Sequence, residues 1–184
     1  MDLLTAINTR ASALKICEPA PSREHLQLIL QAGARAPDHG KLAPWRFTVL
    51  QGEARHTLGE LMGQSLKARN PEADADELRR EHKKALRAPC IIAVAAHITP
   101  SQKAPDIEQV LAAGAATQNM LLAAHALGYG AMWKTGPAAY NPAIKTALGF
   151  AADDHIVALL YLGSIEIAGE PRAAVLEDRV KWME

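Results

Sequence analysis

The sequence predicts a sheet covered by helices, of the α/β or α+β class, because segments typical of strands and of helices alternate along the chain. Two segments indicate a well-buried centre. The continuous apolar run over residues 90–98 is typical of a strand buried on both faces. Residues 110–128 are almost all apolar or small, as in a buried helix. With 184 residues, 49% of them hydrophobic, the chain is long enough for one domain with a substantial core, and we expect a single domain over residues 1–184.

The first elements follow from local signals. The spacing of Leu3, Leu4 and Ile7 places three apolar side chains on one helical face and predicts a short N-terminal helix. Residues 10–21 read as an extended loop, because two prolines at its end exclude regular helix. Ser22 is a suitable N-cap for a second helix, which the next proline should terminate.

The remaining elements follow in order. Asn141 and Pro142 provide a cap and a first helical residue for the last helix, and Gly149 follows its end. The other predictions are a strand over 45–50, an amphipathic helix over 53–68, a charged helical excursion within 70–88, a buried strand over 90–98, a buried helix over 107–127, and strands over 129–134 and 155–162.

Composition excludes several classes of function. Twenty basic and twenty acidic residues leave no basic excess for nucleic acid or a membrane surface. The apolar segment 110–128 contains Gln118, Asn119 and His125, which would be costly in a bilayer, so we expect no membrane association.

Two cysteines without a CxxC motif and a start without a secretory signal favour a cytoplasmic location. No histidine spacing indicates a metal site, and no GxGxxG motif indicates a Rossmann dinucleotide site.

Three groups of residues could bind a ligand. Arg10 and Ser12 follow the first helix, and a guanidinium with a neighbouring hydroxyl suits phosphate oxygens. Arg35 and His39 stand on either side of a proline turn. The third group, Trp133-Lys134-Thr135, ends a predicted strand, where ligands commonly bind. Taken singly, these residues also fit ordinary structural roles. Most of them could be surface residues, and Trp133 could be a core residue.

The order of six short segments along the chain resembles the FMN-dependent nitroreductase family, most closely its short YdjA-like subgroup of NAD(P)H nitroreductases. These are Arg10-Ala11-Ser12, residues 32–39 (AGARAPDH), Pro44-Trp45-Arg46-Phe47, Leu127-Gly128-Tyr129-Gly130, Met132-Trp133-Lys134-Thr135-Gly136 and Tyr161-Leu162-Gly163. The resemblance covers nearly the whole chain. It implies an α+β nitroreductase-like fold, with a central mixed sheet covered by helices, in an interlocked homodimer that holds FMN at two interface sites.

The resemblance also implies roles for individual residues. Arg10, Ala11 and Ser12 would contact non-covalently bound FMN, with Arg10 as the main phosphate partner. Arg35 and His39 would reach the same cofactor from the other subunit. The remaining positions implied for cofactor binding are Trp133, Lys134, Thr135 and, with a looser match, Arg172.

Four positions depart from the family pattern. Lys41 and Ala43 stand where many members have Asn and Gln, which alters the hydrogen bonds expected around the flavin ring. Ala11 replaces a second arginine of the subgroup and leaves only a backbone contact. Lys134 replaces an arginine, which keeps the charge but not the planar fork.

The implied activity is an NAD(P)H-dependent flavin oxidoreductase that reduces nitroaromatic, quinone-like or related small acceptors by a ping-pong cycle. The flavin carries the chemistry, so no catalytic side chain is expected. One alternative is another flavin enzyme on the same scaffold, of dehalogenating, flavin-fragmenting or ene-reductase-like type. The other is a flavin-binding protein without turnover.

Overall fold

A computed structural model describes residues 1–184, and five strands form its central sheet. They are β1 (Lys15–Cys17), β2 (Trp45–Gln51), β3 (Cys90–Ala96), β4 (Gly130–Lys134) and β5 (His155–Ile167). The order is β1-β5-β3-β2, with β4 also paired to β5. Strand β5 therefore has β3 along one side and both β1 and β4 along the other. The α+β fold implied by the resemblance is confirmed, although the implied mixed sheet is antiparallel in all four pairings.

Six helices surround this sheet, and local sequence explains where several of them begin. They are α1 (Leu3–Thr9), α2 (Arg23–Gly33), α3 (Glu53–Arg69), α4 (Ala75–Lys84), α5 (Asp106–Ala126) and α6 (Pro142–Ala147). Ser22 accepts a hydrogen bond from the His25 amide at 3.2 Å, and Asn141 accepts one from the Ile144 amide at 3.2 Å. Both predicted caps are confirmed, because an N-cap depends only on the next three residues.

The sheet separates two apolar layers. Helices α2 and α5 cover one face, where Ile29 and Met120 pack against side chains from β3 and β5. Helices α3 and α6 cover the other face, where Leu58 and Ile144 belong to the larger cluster. A side chain at Gly33 would meet the Met120 side chain at 2.8 Å, so this glycine allows α2 and α5 to pack closely.

The excursion predicted within residues 70–88 contains α4, which begins with a capping box between Asp74 and Glu77. None of the residues of α4 is buried, but the helix packs on α3. A side chain at Gly59 of α3 would meet the His82 carbonyl oxygen at 2.7 Å, which shows how closely the two helices approach.

The prediction for residues 10–21 was wrong at one point, because residues 15–17 form β1 instead of continuing an extended loop. The last strand was also predicted too short, since β5 continues to Ile167. The two errors have one cause: the end of β5 is the part that pairs with β1. A three-residue strand carries too little pattern to be recognised locally, and its partner lies about 150 residues away along the chain.

Helix α5 is covered on one side only within this chain. Ala113, Ala116 and Met120 are fully buried, whereas Ile107 and Leu111 are 62% and 64% exposed. The large apolar residues of α1, Leu3, Leu4 and Ile7, are exposed as well. No helix of the structure has both the length and the apolar character needed to cross a membrane.

Candidate functional site

The three predicted ligand groups line three different cavities of the single chain. Arg10 and Ala11 line a cavity of about 140 Å³ beside the end of α5. His39 lines an open cleft beside the beginning of α5. Lys134 and Thr135 line a cavity of about 200 Å³ on the other side of the sheet. The chain by itself therefore does not bring these groups together.

Contacts on both sides fix the segment that carries Arg10. Its backbone amide donates to Ala6 at 3.0 Å and ends α1. The preceding residue, Thr9, hydrogen-bonds His125 of α5 through side chains 2.9 Å apart. On the other side, the amide of Ala13 donates to the carbonyl of Ala131 in β4 at 3.2 Å. The short segment 10–12 is therefore held between α5 and the sheet.

Arg10 is chemically suited to an anionic ligand. Its side chain is half-buried and makes no ion pair with a carboxylate of this chain. A guanidinium offers five N–H donors in a planar fork, which matches phosphate oxygens. Ser12 is exposed and places a hydroxyl two residues further on. The pair could hold a phosphate group.

Gly169 is a residue of this site that the sequence did not indicate. A Cβ atom at position 169 would overlap the backbone carbonyl oxygen of Ser12 and would contact the Ala11 side chain at 3.6 Å. Because this contact joins segments that are distant in sequence, no local pattern signals it. The absence of a side chain at Gly169 lets the segment after β5 lie directly on residues 10–12.

We expect Gly169→Ala to displace residues 10–12 and to lower the free energy of unfolding by about 1–3 kcal/mol, the usual cost of overpacking. Gly63→Ala is the matched control, since a side chain there meets only the Leu78 carbonyl oxygen at 3.7 Å inside α3. The control should raise stability by about 0.5–1 kcal/mol through helix propensity. Urea unfolding measures the free energy of unfolding of both variants, and amide exchange of residues 10–12 measures how well that segment is held. Equal stability and equal exchange rates in the two variants would contradict the expectation.

Arg35 and His39 differ in their surroundings. His39 lies in a short 3-10 turn (His39–Lys41), and its Nδ1 lies 2.5 Å from a carboxylate oxygen of Glu108 in α5. Arg35 is exposed and forms no ion pair within the chain. The sequence did not indicate Glu108, because only the fold brings α5 beside this turn. Glu108 orients the imidazole, and Arg35 remains available to a ligand or a partner.

The turn between α2 and β2 is unusual at the two positions that depart from the family pattern. Lys41 and Ala43 have φ angles of 56° and 45°, in the left-handed region that most side chains avoid. The carboxylate of Asp38 accepts a hydrogen bond from the Ala43 amide at 2.7 Å. This bond helps to hold the turn in a conformation that asparagine adopts more readily than lysine or alanine.

The segment Trp133-Lys134-Thr135 spans the end of β4. The Trp133 indole donates to the Val157 carbonyl at 3.0 Å and is 38% exposed, so this side chain is only partly covered. Lys134 and Thr135 are exposed. Arg172 lies in the exposed segment after β5. Within one chain, nothing joins Arg172 to the segment of Arg10.

Cys90 is not an activated nucleophile. Cys90 is fully buried in β3, and desolvation raises the pKa of its thiol to about 12, so the thiol stays protonated at neutral pH. Cys17 and Cys90 are both free thiols.

The chain is similar to known proteins along most of its length. Residues 17–164 match the model of the nitroreductase family. The "Putative NAD(P)H nitroreductase YdjA" of Escherichia coli K12 is 38% identical over 91% of this chain and 90% of the relative. A Haemophilus influenzae protein, "Putative NAD(P)H nitroreductase", is 38% identical over 97% of both chains.

Solved structures agree with these relatives. A nitroreductase-like family protein from Bacillus cereus superposes with a TM-score of 0.83 at 26% identity, covering 100% of this chain and 97% of the other. A "putative nitroreductase in complex with fmn" from Desulfovibrio desulfuricans superposes with a TM-score of 0.76 at 27% identity, covering 98% and 96%. The chain therefore shares the fold of these solved structures.

Proposed function

Because the chain belongs to the nitroreductase family, we propose that it is an FMN-dependent oxidoreductase that takes hydride from NAD(P)H. It would pass reducing equivalents to small acceptors such as nitroaromatic or quinone-like compounds. The observation that carries the proposal is the similarity over 98% of this chain to a relative whose structure contains FMN. The names of the curated relatives supply the hydride donor.

The residues of the site fit such a cofactor. Arg10 is half-buried, lines a cavity and has no carboxylate partner, as expected for a residue that binds a terminal phosphate. Ser12 adds a donor, and Ala11 can contribute its backbone. FMN, when bound, supplies the hydride chemistry. The protein would hold the phosphate, orient the ring and provide positive charge near it through Lys134.

We also propose a homodimer in which both subunits build each site. The cavity at Arg10 and the cleft at His39 lie at opposite ends of the 21-residue helix α5, which is about 30 Å long. A two-fold axis can place one end of this helix beside the other end of its copy. The exposed Ile107 and Leu111 supply an apolar surface for this contact.

The segment after β5 fits the same arrangement. Several large apolar residues are strongly exposed there, most of all Trp182 and Met183, each at 86%. An exposed apolar segment of this kind is typical of an arm that packs on a partner subunit. In the proposed dimer this arm would carry Arg172 towards the phosphate end of the cofactor.

A cytoplasmic location is part of the proposal. Cys17 and Cys90 are free thiols, and a reducing compartment keeps thiols in this form. The hydride donor NAD(P)H is also a metabolite of that compartment.

The spectrum of the purified protein tests the proposed function. After reconstitution with FMN, we expect a bound-flavin absorbance spectrum that NADH or NADPH bleaches under anaerobic conditions and that a nitroaromatic compound restores. A bound flavin that neither donor bleaches would instead indicate a non-catalytic flavin protein. Turnover without reduction of the nitroaromatic would indicate another flavin enzyme on this scaffold. Failure to bind any flavin would refute the proposal.

A further inference from the structure

The end of helix α1 sets the position of Arg10, because Arg10 is the residue that directly follows this helix. Within the chain, α1 is only lightly held. Ala6 is its one buried residue, and its large apolar side chains are exposed. The position of the helix end therefore depends strongly on the individual contacts that its last residues make.

His125 makes one of these contacts from the last turn of α5. Its Nε2 atom lies 2.9 Å from the hydroxyl oxygen of Thr9, the last residue of α1. The imidazole is half-buried and lines the same cavity as Arg10 and Ala11. One side chain therefore borders the candidate phosphate cavity and also holds the residue that precedes Arg10.

The hydrogen bonds of Thr9 fix the direction of this contact. A hydroxyl group has one proton to donate, and the Thr9 hydroxyl donates it to the backbone carbonyl oxygen of Thr5 at 2.7 Å. The Thr9 oxygen must therefore accept the bond from His125, which places an imidazole proton on Nε2. A different side chain at position 125 can make the same bond only if it has a donor at the place of Nε2.

We propose that His125 is a positioning residue of the phosphate site: its Nε2–H group holds Thr9 and thereby keeps Arg10 at the cavity that it lines. The proposal rests on the proposed function, because the phosphate is that of FMN. Without this bond, the end of α1 would have to be ordered when the cofactor binds. The entropy lost in that step would reduce the affinity for FMN.

Two substitutions of His125 separate the Nε2 donor from the rest of the ring. His125→Gln keeps an amide nitrogen at about the reach of Nε2, whereas the shorter side chain of His125→Asn reaches only as far as Nδ1. We expect His125→Asn to weaken FMN binding about 3- to 10-fold, the effect of one hydrogen bond, and His125→Gln to stay within about twofold of the parent protein. Fluorescence titration of the apoprotein measures both affinities. A glutamine variant as weak as the asparagine variant would overturn the assignment of the donor.

Substitutions of Thr9 test the other side of the bond. Thr9→Val removes the acceptor at nearly constant shape and should also weaken FMN binding about 3- to 10-fold, whereas Thr9→Ser keeps the hydroxyl and should stay within about twofold. Thr57→Val is the matched control. Thr57 is also exposed and donates to the carbonyl oxygen of Glu53, four residues earlier in α3, but its hydroxyl has no second partner. If Thr9→Val and Thr57→Val bound FMN equally well, the proposal would be wrong.

The double variant distinguishes one shared bond from two separate effects. Thr9→Val combined with His125→Asn should bind FMN no more weakly than either single variant, because both substitutions remove the same bond. Losses that multiply, to about 10- to 100-fold in the double variant, would overturn the proposal. So would variants that lower the free energy of unfolding in urea but leave the FMN affinity unchanged, since the bond would then serve stability alone.

Measurements on the apoprotein keep this proposal separate from the proposed function. At about pH 8.5, where an unperturbed imidazole is neutral, the two-bond proton–nitrogen NMR spectrum should show the His125 proton on Nε2. Amide exchange of residues 10–12 should be faster in His125→Asn than in the parent protein or in His125→Gln. A parent protein that binds no flavin would refute the proposed function, and these two results would still decide whether His125 positions the segment. A proton on Nδ1, or unchanged exchange in His125→Asn, would overturn the proposal.

Discussion

Replacement of Arg10 by alanine is expected to weaken FMN binding about 10- to 100-fold, because a charge-assisted hydrogen bond to phosphate contributes about 1.5–3 kcal/mol. The fold should be retained, since the helix-ending bond at Arg10 comes from its backbone amide and not from the side chain. Fluorescence titration of the apoprotein with FMN measures the affinity, and urea unfolding without FMN measures the stability.

Arg23→Ala is the matched control for this experiment. Arg23 is an exposed arginine at the beginning of α2 and lines none of the three candidate cavities. The control removes the same charge and should retain the FMN affinity of the parent protein. If Arg10→Ala and Arg23→Ala bound FMN equally well, the assignment of Arg10 as the phosphate anchor would be wrong.

Mixing two defective proteins should restore FMN binding if each site is shared between subunits. In a dimer of Arg10→Ala with Arg35→Ala, one site carries both defects and the other carries neither. Random exchange makes half of the dimers mixed, so about one quarter of all sites should regain the parent affinity. The physical reason is that Arg10 and Arg35 of the same chain would serve different sites.

Co-expression of the two variants with different affinity tags provides the mixed dimer. The doubly tagged species should bind about one FMN per dimer with parent affinity, whereas each variant alone should show only weak binding. Light scattering gives the mass of each sample. A monomer that binds FMN normally, or a mixed dimer no better than its parents, would refute the shared site.

Local sequence predicted most of the helices and strands. The caps at Ser22 and Asn141 and the buried strand that begins at Cys90 depend on residues a few positions apart, and the structure confirms them. The order of short segments along the chain indicated the nitroreductase family, and the family match over residues 17–164 confirms it. A single domain over residues 1–184 and the roles of the nine site residues stay predictions.

Contacts between segments that are distant along the chain could not be predicted from local sequence patterns. Strand β1 exists because the end of β5 pairs with it, and Glu108 meets His39 only through the packing of α5. The close approach of Gly169 to Ser12 is of the same kind. In each case the two residues or segments in contact are separated by between about 70 and 160 residues along the chain. No short window of the sequence therefore contains both of them.

By itself, the sequence determined the family and, through the family resemblance, the α+β class, because the resemblance depends on local pattern and on order along the chain. It also predicted which residues could hold a phosphate. Only the tertiary structure decided where those residues lie relative to one another. It places Arg10 and His39 beside opposite ends of α5 and leaves Ile107 and Leu111 uncovered. It also brings the His125 imidazole to the Thr9 hydroxyl. Side chains distant in sequence meet only when the sheet and its helical layers have formed, since burial of the common core fixes their positions.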